Sequence, residues 1–185
     1  MAYDSTHGVA RRALVALVLL AGCQPADTKR TAEPGRVAPA LVEVRTMVDD
    51  SDIDSERNGF RYAGRWEHVS DREDSRALGT SSRSFHRGDG VTLAFVGTQV
   101  RLYAVSGAKG GYGALTLDRR KLPDRADFYA PQSLPGALVF TSQALAPGHH
   151  TLSLRVTGEH DRRSAGTYVN IDYAAVSGNE EELAP

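Results

Sequence analysis

The stretch Gly90-Val91-Thr92-Leu93-Ala94-Phe95-Val96-Gly97-Thr98-Gln99-Val100-Arg101-Leu102-Tyr103-Ala104 carries the reading from which the fold follows. Val91, Leu93 and Phe95 fall on every second residue, and so do Val100, Leu102 and Ala104. A period of two is that of a half-buried strand, whose successive side chains point to opposite faces. Gly97-Thr98 turns the chain between the two runs, which are expected to form a hairpin. Outward from this segment the pattern repeats. Leu152, Leu154 and Val156 alternate with Thr151, Ser153, Arg155 and Thr157. Further strands are expected near 41–48, 60–68, 82–87, 112–118, 126–130, 136–141 and 168–176, with Gly88-Asp89-Gly90 and Pro147-Gly148 as punctuation. About eight or nine short strands without a helical period predict an all-β antiparallel sandwich, because a parallel sheet would need crossover helices.

Charge and cysteine content narrow the function. The chain has 185 residues, with 22 basic against 23 acidic side chains and a net charge of −1. The basic residues are scattered, so no field gathers nucleic acid. A single cysteine excludes an internal disulfide and any multi-cysteine zinc site.

That cysteine stands at an informative place. Arg11-Arg12 precede the apolar run Ala13 to Leu20, which ends at Ala21-Gly22-Cys23. The run is too short to cross a bilayer and has the size of a secretory signal core. Leu20-Ala21-Gly22-Cys23 resembles the bacterial lipobox at all four positions. The resemblance implies cleavage after Gly22 and acylation of the Cys23 thiol, and several acyl chains on one residue anchor stably. Gln24 rather than aspartate follows, which by the same resemblance favours the outer membrane. The expected organisation is a signal peptide at 1–22, a proline-containing tether at 23–40, one sandwich domain at 41–177 and an acidic tail at 178–185.

Several segments then give a family resemblance. Phe60-Arg61-Tyr62-Ala63-Gly64-Arg65-Trp66, the quoted 90–103 stretch, Gly113-Ala114-Leu115-Thr116-Leu117-Asp118, Pro147-Gly148-His149-His150-Thr151-Leu152 and Gly166-Thr167-Tyr168-Val169-Asn170-Ile171-Asp172-Tyr173 resemble, in this order, the galactose-binding-domain-like jelly roll. The resemblance covers about residues 41–177 and implies a module of the kind attached to extracellular enzymes to bind carbohydrate. One departure is the turn Asp118-Arg119-Arg120, where the family has Asp-Gly, so that turn is expected to differ.

Sugar recognition needs an aromatic face for the C–H side of a ring and polar groups for its hydroxyls. The candidates are Trp66, Tyr103, and Lys109 and Tyr112 of the glycine-rich loop 107–113. Trp66 has the alternative of a core position, and the loop that of a mobile connector. The acidic run Asp49-Asp50-Ser51-Asp52-Ile53-Asp54 does not match an EF-hand, since Ser55 and Arg61 stand where Gly and Glu belong. The resemblance instead implies a structural calcium joining the first and last strands, through Asp49 or Asp50 and Asp172. The alternative is a solvated acidic turn. No catalytic motif stands out, neither His-Glu-x-x-His nor Gly-x-Ser-x-Gly. The expected function is a non-catalytic, lipid-anchored carbohydrate-binding module at the cell envelope. The alternatives are a structural or assembly lipoprotein docking on an envelope protein and, third, a small hydrolase.

Overall fold

The computed structural model describes residues 43–55, 57–70 and 79–179. The described residues all fall in one unit, Pro39–Pro185. The signal peptide, the lipobox, Cys23, the whole tether and residues 180–185 of the tail lie outside the described residues.

Among the described residues the chain is an all-β antiparallel sandwich of eleven strands, β1 (Glu43–Asp49), β2 (Gly59–Ala63), β3 (Glu67–Ser70), β4 (Thr80–Ser84), β5 (Gly90–Gly97), β6 (Gln99–Ser106), β7 (Tyr112–Leu117), β8 (Arg120–Asp127), β9 (Leu134–Thr141), β10 (Gly148–Val156) and β11 (Val169–Asn179). One sheet runs β3-β4-β11-β6-β9, with β1 also paired to β11; the other runs β2-β5-β10-β7-β8. The alternating apolar residues of both sheets meet between them, Phe60, Leu93, Phe95, Leu115, Ile171 and Val176 each 1% exposed or less. Burying one such side chain stabilises by about 1.5–3 kcal/mol, which is what holds two sheets face to face.

Four sequence expectations are corrected. The 90–104 segment is not a hairpin: β5 and β6 belong to different sheets. At Gly97-Thr98 the chain crosses the sandwich, and Thr98 donates its amide to the Ser177 carbonyl at 2.7 Å. A Cβ on Gly97 would stand 2.5 Å from that same oxygen. Alternation determines which side chains face inward and leaves open which strand lies alongside. The expected strand 60–68 is likewise two strands in different sheets, broken at Gly64, whose φ is 102°. The strand expected at 126–130 lies earlier, as β8, and β11 continues to Asn179, taking the first two residues of the expected tail.

A further correction concerns the Asp118-Arg119 turn. It keeps the two-residue form that an Asp-Gly pair would adopt, with φ of 48° at Asp118 and 66° at Arg119, and pairs Leu117 with Arg120. The Asp118 carboxylate holds it in place, accepting from the Thr151 amide at 2.9 Å and the His150 ring at 2.7 Å. A left-handed conformation costs a non-glycine residue about 1 kcal/mol. Arg119→Gly is therefore expected to stabilise the fold by about 1 kcal/mol, raising the thermal midpoint by about 2–4 °C in a scanning-calorimetry comparison.

Candidate functional site

The glycine-rich loop after β6 is pinned on both sides. Gly107 donates to the Phe128 carbonyl at 3.0 Å and Gly110 to Gly107 at 2.9 Å. Across the loop, Tyr168 donates to the Lys109 carbonyl at 2.9 Å and Gly111 to the Tyr168 carbonyl at 2.7 Å. Close backbone approach explains two of the glycines: a Cβ on Gly110 would fall 1.8 Å from the Phe128 oxygen, and one on Gly111 2.6 Å from Thr167. This bound loop forms one wall of a groove of about 540 Å³ at the end of the six-stranded sheet.

Tyr168, Asn170, Arg83, Lys109, Ser106 and Ser133 supply the polar lining of the groove, which holds no aspartate or glutamate among the described residues. The Arg83 guanidinium is tied through Nε to Glu67 at 2.8 Å and lies 5.8 Å over the Tyr168 ring. Tyr168 also packs on Phe85 with centroids 5.0 Å apart, and Phe85 is 47% exposed. The Asn170 amide oxygen has no hydrogen-bond partner. A volume of this size, with one aromatic wall and a few convergent polar groups, is that of a small-ligand site.

The outward face of the same sheet carries further aromatic rings. Along β6 the residues turned from the core are Arg101, Tyr103 and Val105, the last lining the groove. Tyr103 pairs with Tyr173 of β11, their rings stacked at 4.4 Å and 6°. Of the residues expected to bind sugar, Tyr103 and Lys109 thus belong to one face.

Trp66 and Tyr112 do not. Trp66 packs against the core and Tyr62, its indole N–H donating to the Ala63 carbonyl at 3.2 Å. Tyr112 faces outward from β7, in the opposite sheet, beneath the Arg125 guanidinium at 4.1 Å. The structure adds Tyr168, Asn170, Arg83, Phe85 and Tyr173. A signal for two of these was present: Tyr168 and Asn170 alternate with the apolar Val169 and Ile171, which turns them to the outside of β11.

The acidic residues converge through the backbone. Asp50 donates its amide to the Asp172 carbonyl at 3.0 Å, and Asp49 pairs with Tyr173. All three carboxylates are at most 2% exposed, so they do not form a solvated turn. Thr80 donates to Asp49 Oδ1 at 2.9 Å and Ser82 to Asp50 Oδ2 at 2.5 Å, while Asp49 Oδ2 and Asp50 Oδ1 have no hydrogen-bond partner. Burial holds the Asp50 carboxyl above the ordinary carboxylate range, with the Asp49 charge adding to it and the Ser82 and Thr80 hydroxyls acting against it. Among the described residues no group of three or more His, Cys, Asp or Glu is placed to hold a metal ion.

Two constellations have the composition of a hydrolytic site but not its wiring. His68 Nδ1 is 2.7 Å from Ser82 Oγ, whose proton goes to Asp50. Ser82 is fully buried, and the carboxylate orients the serine rather than the histidine, the reverse of a nucleophile-base-orienter chain. His150 bonds Asp118, yet its other ring nitrogen faces the Ala146 carbonyl at 2.7 Å, where a nucleophile would have to stand.

No family model and no curated protein matches the sequence. Among solved structures, a xanthan lyase from Paenibacillus is 15% identical with a TM-score of 0.50, over 68% of this chain and 14% of the lyase. A two-domain esterase active on acetylated mannans is 15% identical with a TM-score of 0.50, over 83% of this chain and 41% of the esterase. The CBM36-1 domain of a multidomain xylanase from the hindgut metagenome of Trinervitermes trinervoides is 15% identical with a TM-score of 0.47, over 74% of this chain and 98% of that domain. At such identities the likeness of the lyase and the esterase establishes the fold alone, an antiparallel β-sandwich. The chain spans 14% of the lyase and 41% of the esterase, far less than either whole enzyme.

Proposed function

We propose that this protein is a non-catalytic carbohydrate-binding module, held by a lipid on Cys23 at the bacterial cell envelope. The observation that carries the sugar reading is the groove at Tyr168, which joins an aromatic wall to hydroxyl, amide and cationic groups on the sheet that also bears the stacked Tyr103–Tyr173 pair. Apolar ring area suits the C–H face of a sugar, and the groups around it suit its hydroxyls. The serine-histidine-aspartate wiring described above supports a binding rather than a catalytic role. A site this shallow binds weakly as a single copy, and display of many copies on a membrane raises avidity. The test is a glycan array with the purified full chain in calcium. Binding to a defined class of sugars is expected; binding to none would move the reading to protein docking.

The docking alternative rests on Met47, Leu134 and Leu138 of the same sheet, each at least 50% exposed. Exposed apolar side chains on one sheet suit an envelope-protein partner. Co-purification of one envelope protein, lost in Leu138→Asp, would favour it.

The anchor rests on the lipobox reading alone, and Gln24 supports the outer membrane. Cys23→Ser is expected to abolish the lipid mass and release the protein from membranes; unchanged fractionation would count against acylation.

A structural calcium belongs to the same proposal. The unpartnered oxygens of Asp49 and Asp50 fit a hard cation, which would draw its other ligands from carbonyls or water. Such an ion would offset the like charge of the pair where β1 meets β11. Chelation is expected to lower the thermal midpoint, by an amount corresponding to about 2.7 kcal/mol from a starting calcium concentration of about a hundred times Kd. Asp50→Asn should be insensitive to chelation.

A further inference from the structure

We propose that the groove selects an acidic sugar, a uronic-acid residue whose carboxylate pairs with Lys109. The proposal rests on the carbohydrate reading above and specifies its ligand class.

The charge lining the groove is of one sign. Among the described residues Arg83 and Lys109 face it and no acidic residue does, although acids outnumber bases by one in the whole chain. The two cations differ in what they already hold. Arg83 is tied to Glu67 at 2.8 Å, which offsets its charge and fixes its position beside the Tyr168 ring. Lys109 has no ion pair among the described residues. Its ammonium is therefore available to an incoming anion.

The root of that side chain is also fixed. The Lys109 carbonyl accepts from Tyr168, and the neighbouring Ala108 carbonyl accepts from Ala165 at 2.9 Å, so the ammonium swings from an anchored point beside the aromatic wall. A single available ammonium matches a monoanion. The surrounding serine hydroxyls and the Asn170 amide suit the neutral hydroxyls of the same sugar ring. A polyphosphate or nucleic acid would call for several unpaired cations in register, and the groove has one.

The experiment is calorimetric titration of the full chain with a short glucuronic-acid oligosaccharide, the same oligosaccharide carboxyl-reduced to its neutral form, and a sulfated dextran, at low and high salt. The acidic sugar is expected to bind at least tenfold tighter than its reduced counterpart. Lys109→Met should erase that difference at an unchanged thermal midpoint, and Lys109→Arg should retain most of it. The preference should shrink as salt screens the pair.

Equal binding of the acidic and reduced sugars would overturn the acidic preference while leaving the carbohydrate reading intact. Equal or tighter binding of the sulfated polymer, lost in Lys109→Met, would overturn the carboxylate assignment. Binding of none of the three, with no glycan bound on the array, would overturn both readings together.

Discussion

Gly110→Ala should cost about 3 kcal/mol or more of folding stability and abolish ligand binding, the largest effect expected of any single methyl group in this protein. The new Cβ would overlap the Phe128 carbonyl at 1.8 Å and the Tyr129 amide nitrogen at 2.5 Å. Both are backbone atoms and cannot rotate away as a side-chain tip would. Relief requires the 107–110 turn to part from the 128–129 segment, breaking the bonds of Gly107 to Phe128 and of Ala130 to Gly107. The loop that moves also carries Lys109 and meets Tyr168, so stability and binding fall together. In thermal unfolding the loss corresponds to about 6–12 °C for a chain of this size. Gly107→Ala is the internal control: a Cβ there meets nothing within 4 Å, and the substitution should be nearly silent. Equal effects of the two substitutions would mean that glycine flexibility, and not close approach, is what the loop requires.

Tyr168→Ala should weaken glycan binding by about 1–3 kcal/mol, the range found when a stacking aromatic is removed, or roughly five- to a hundredfold in Kd. Tyr168 is the aromatic wall of the groove and also supports the half-exposed Phe85 ring at 5.0 Å. Its backbone bonds to Lys109 and Gly111 survive truncation, so the loop keeps its course. Trp66→Phe supplies the contrast. Trp66 packs on the core, away from the groove, so its loss should appear in the thermal midpoint and not in titration calorimetry.

How far the sequence could be read follows from what each signal encodes. Alternation at Val91, Leu93 and Phe95 reports which side chains face a core, and it led to the sandwich without ambiguity. It is silent on neighbours, which is why β5 and β6 read as a hairpin although Gly97-Thr98 carries the chain from one sheet to the other. The Asp118-Arg119 turn is similar in kind. Arginine disfavours positive φ, but the bonds from Asp118 to Thr151 and His150 join residues more than thirty positions apart and hold the turn regardless.

The site was partly legible for related reasons. Lys109 stands out in the sequence because it sits in a glycine-rich loop, and Tyr103 because it ends an alternating run. Trp66 drew attention as the sole tryptophan, a property of composition that says nothing of burial. Tyr168 and Asn170 were written in the alternation of β11, yet their importance comes from the loop 107–110 folding against them, a contact made across some sixty residues. The meeting of Asp50 with Asp172 likewise joins the two ends of the sandwich, and only the family resemblance pointed to it.

The most direct test of the binding face is amide chemical-shift mapping of the isotope-labelled protein during titration with a glycan that it binds. Shifts concentrated at Lys109, Tyr168 and Asn170 and extending to Tyr103 and Tyr173 are the expected result. Shifts confined to the opposite sheet, around Tyr112 and Arg125, would contradict it.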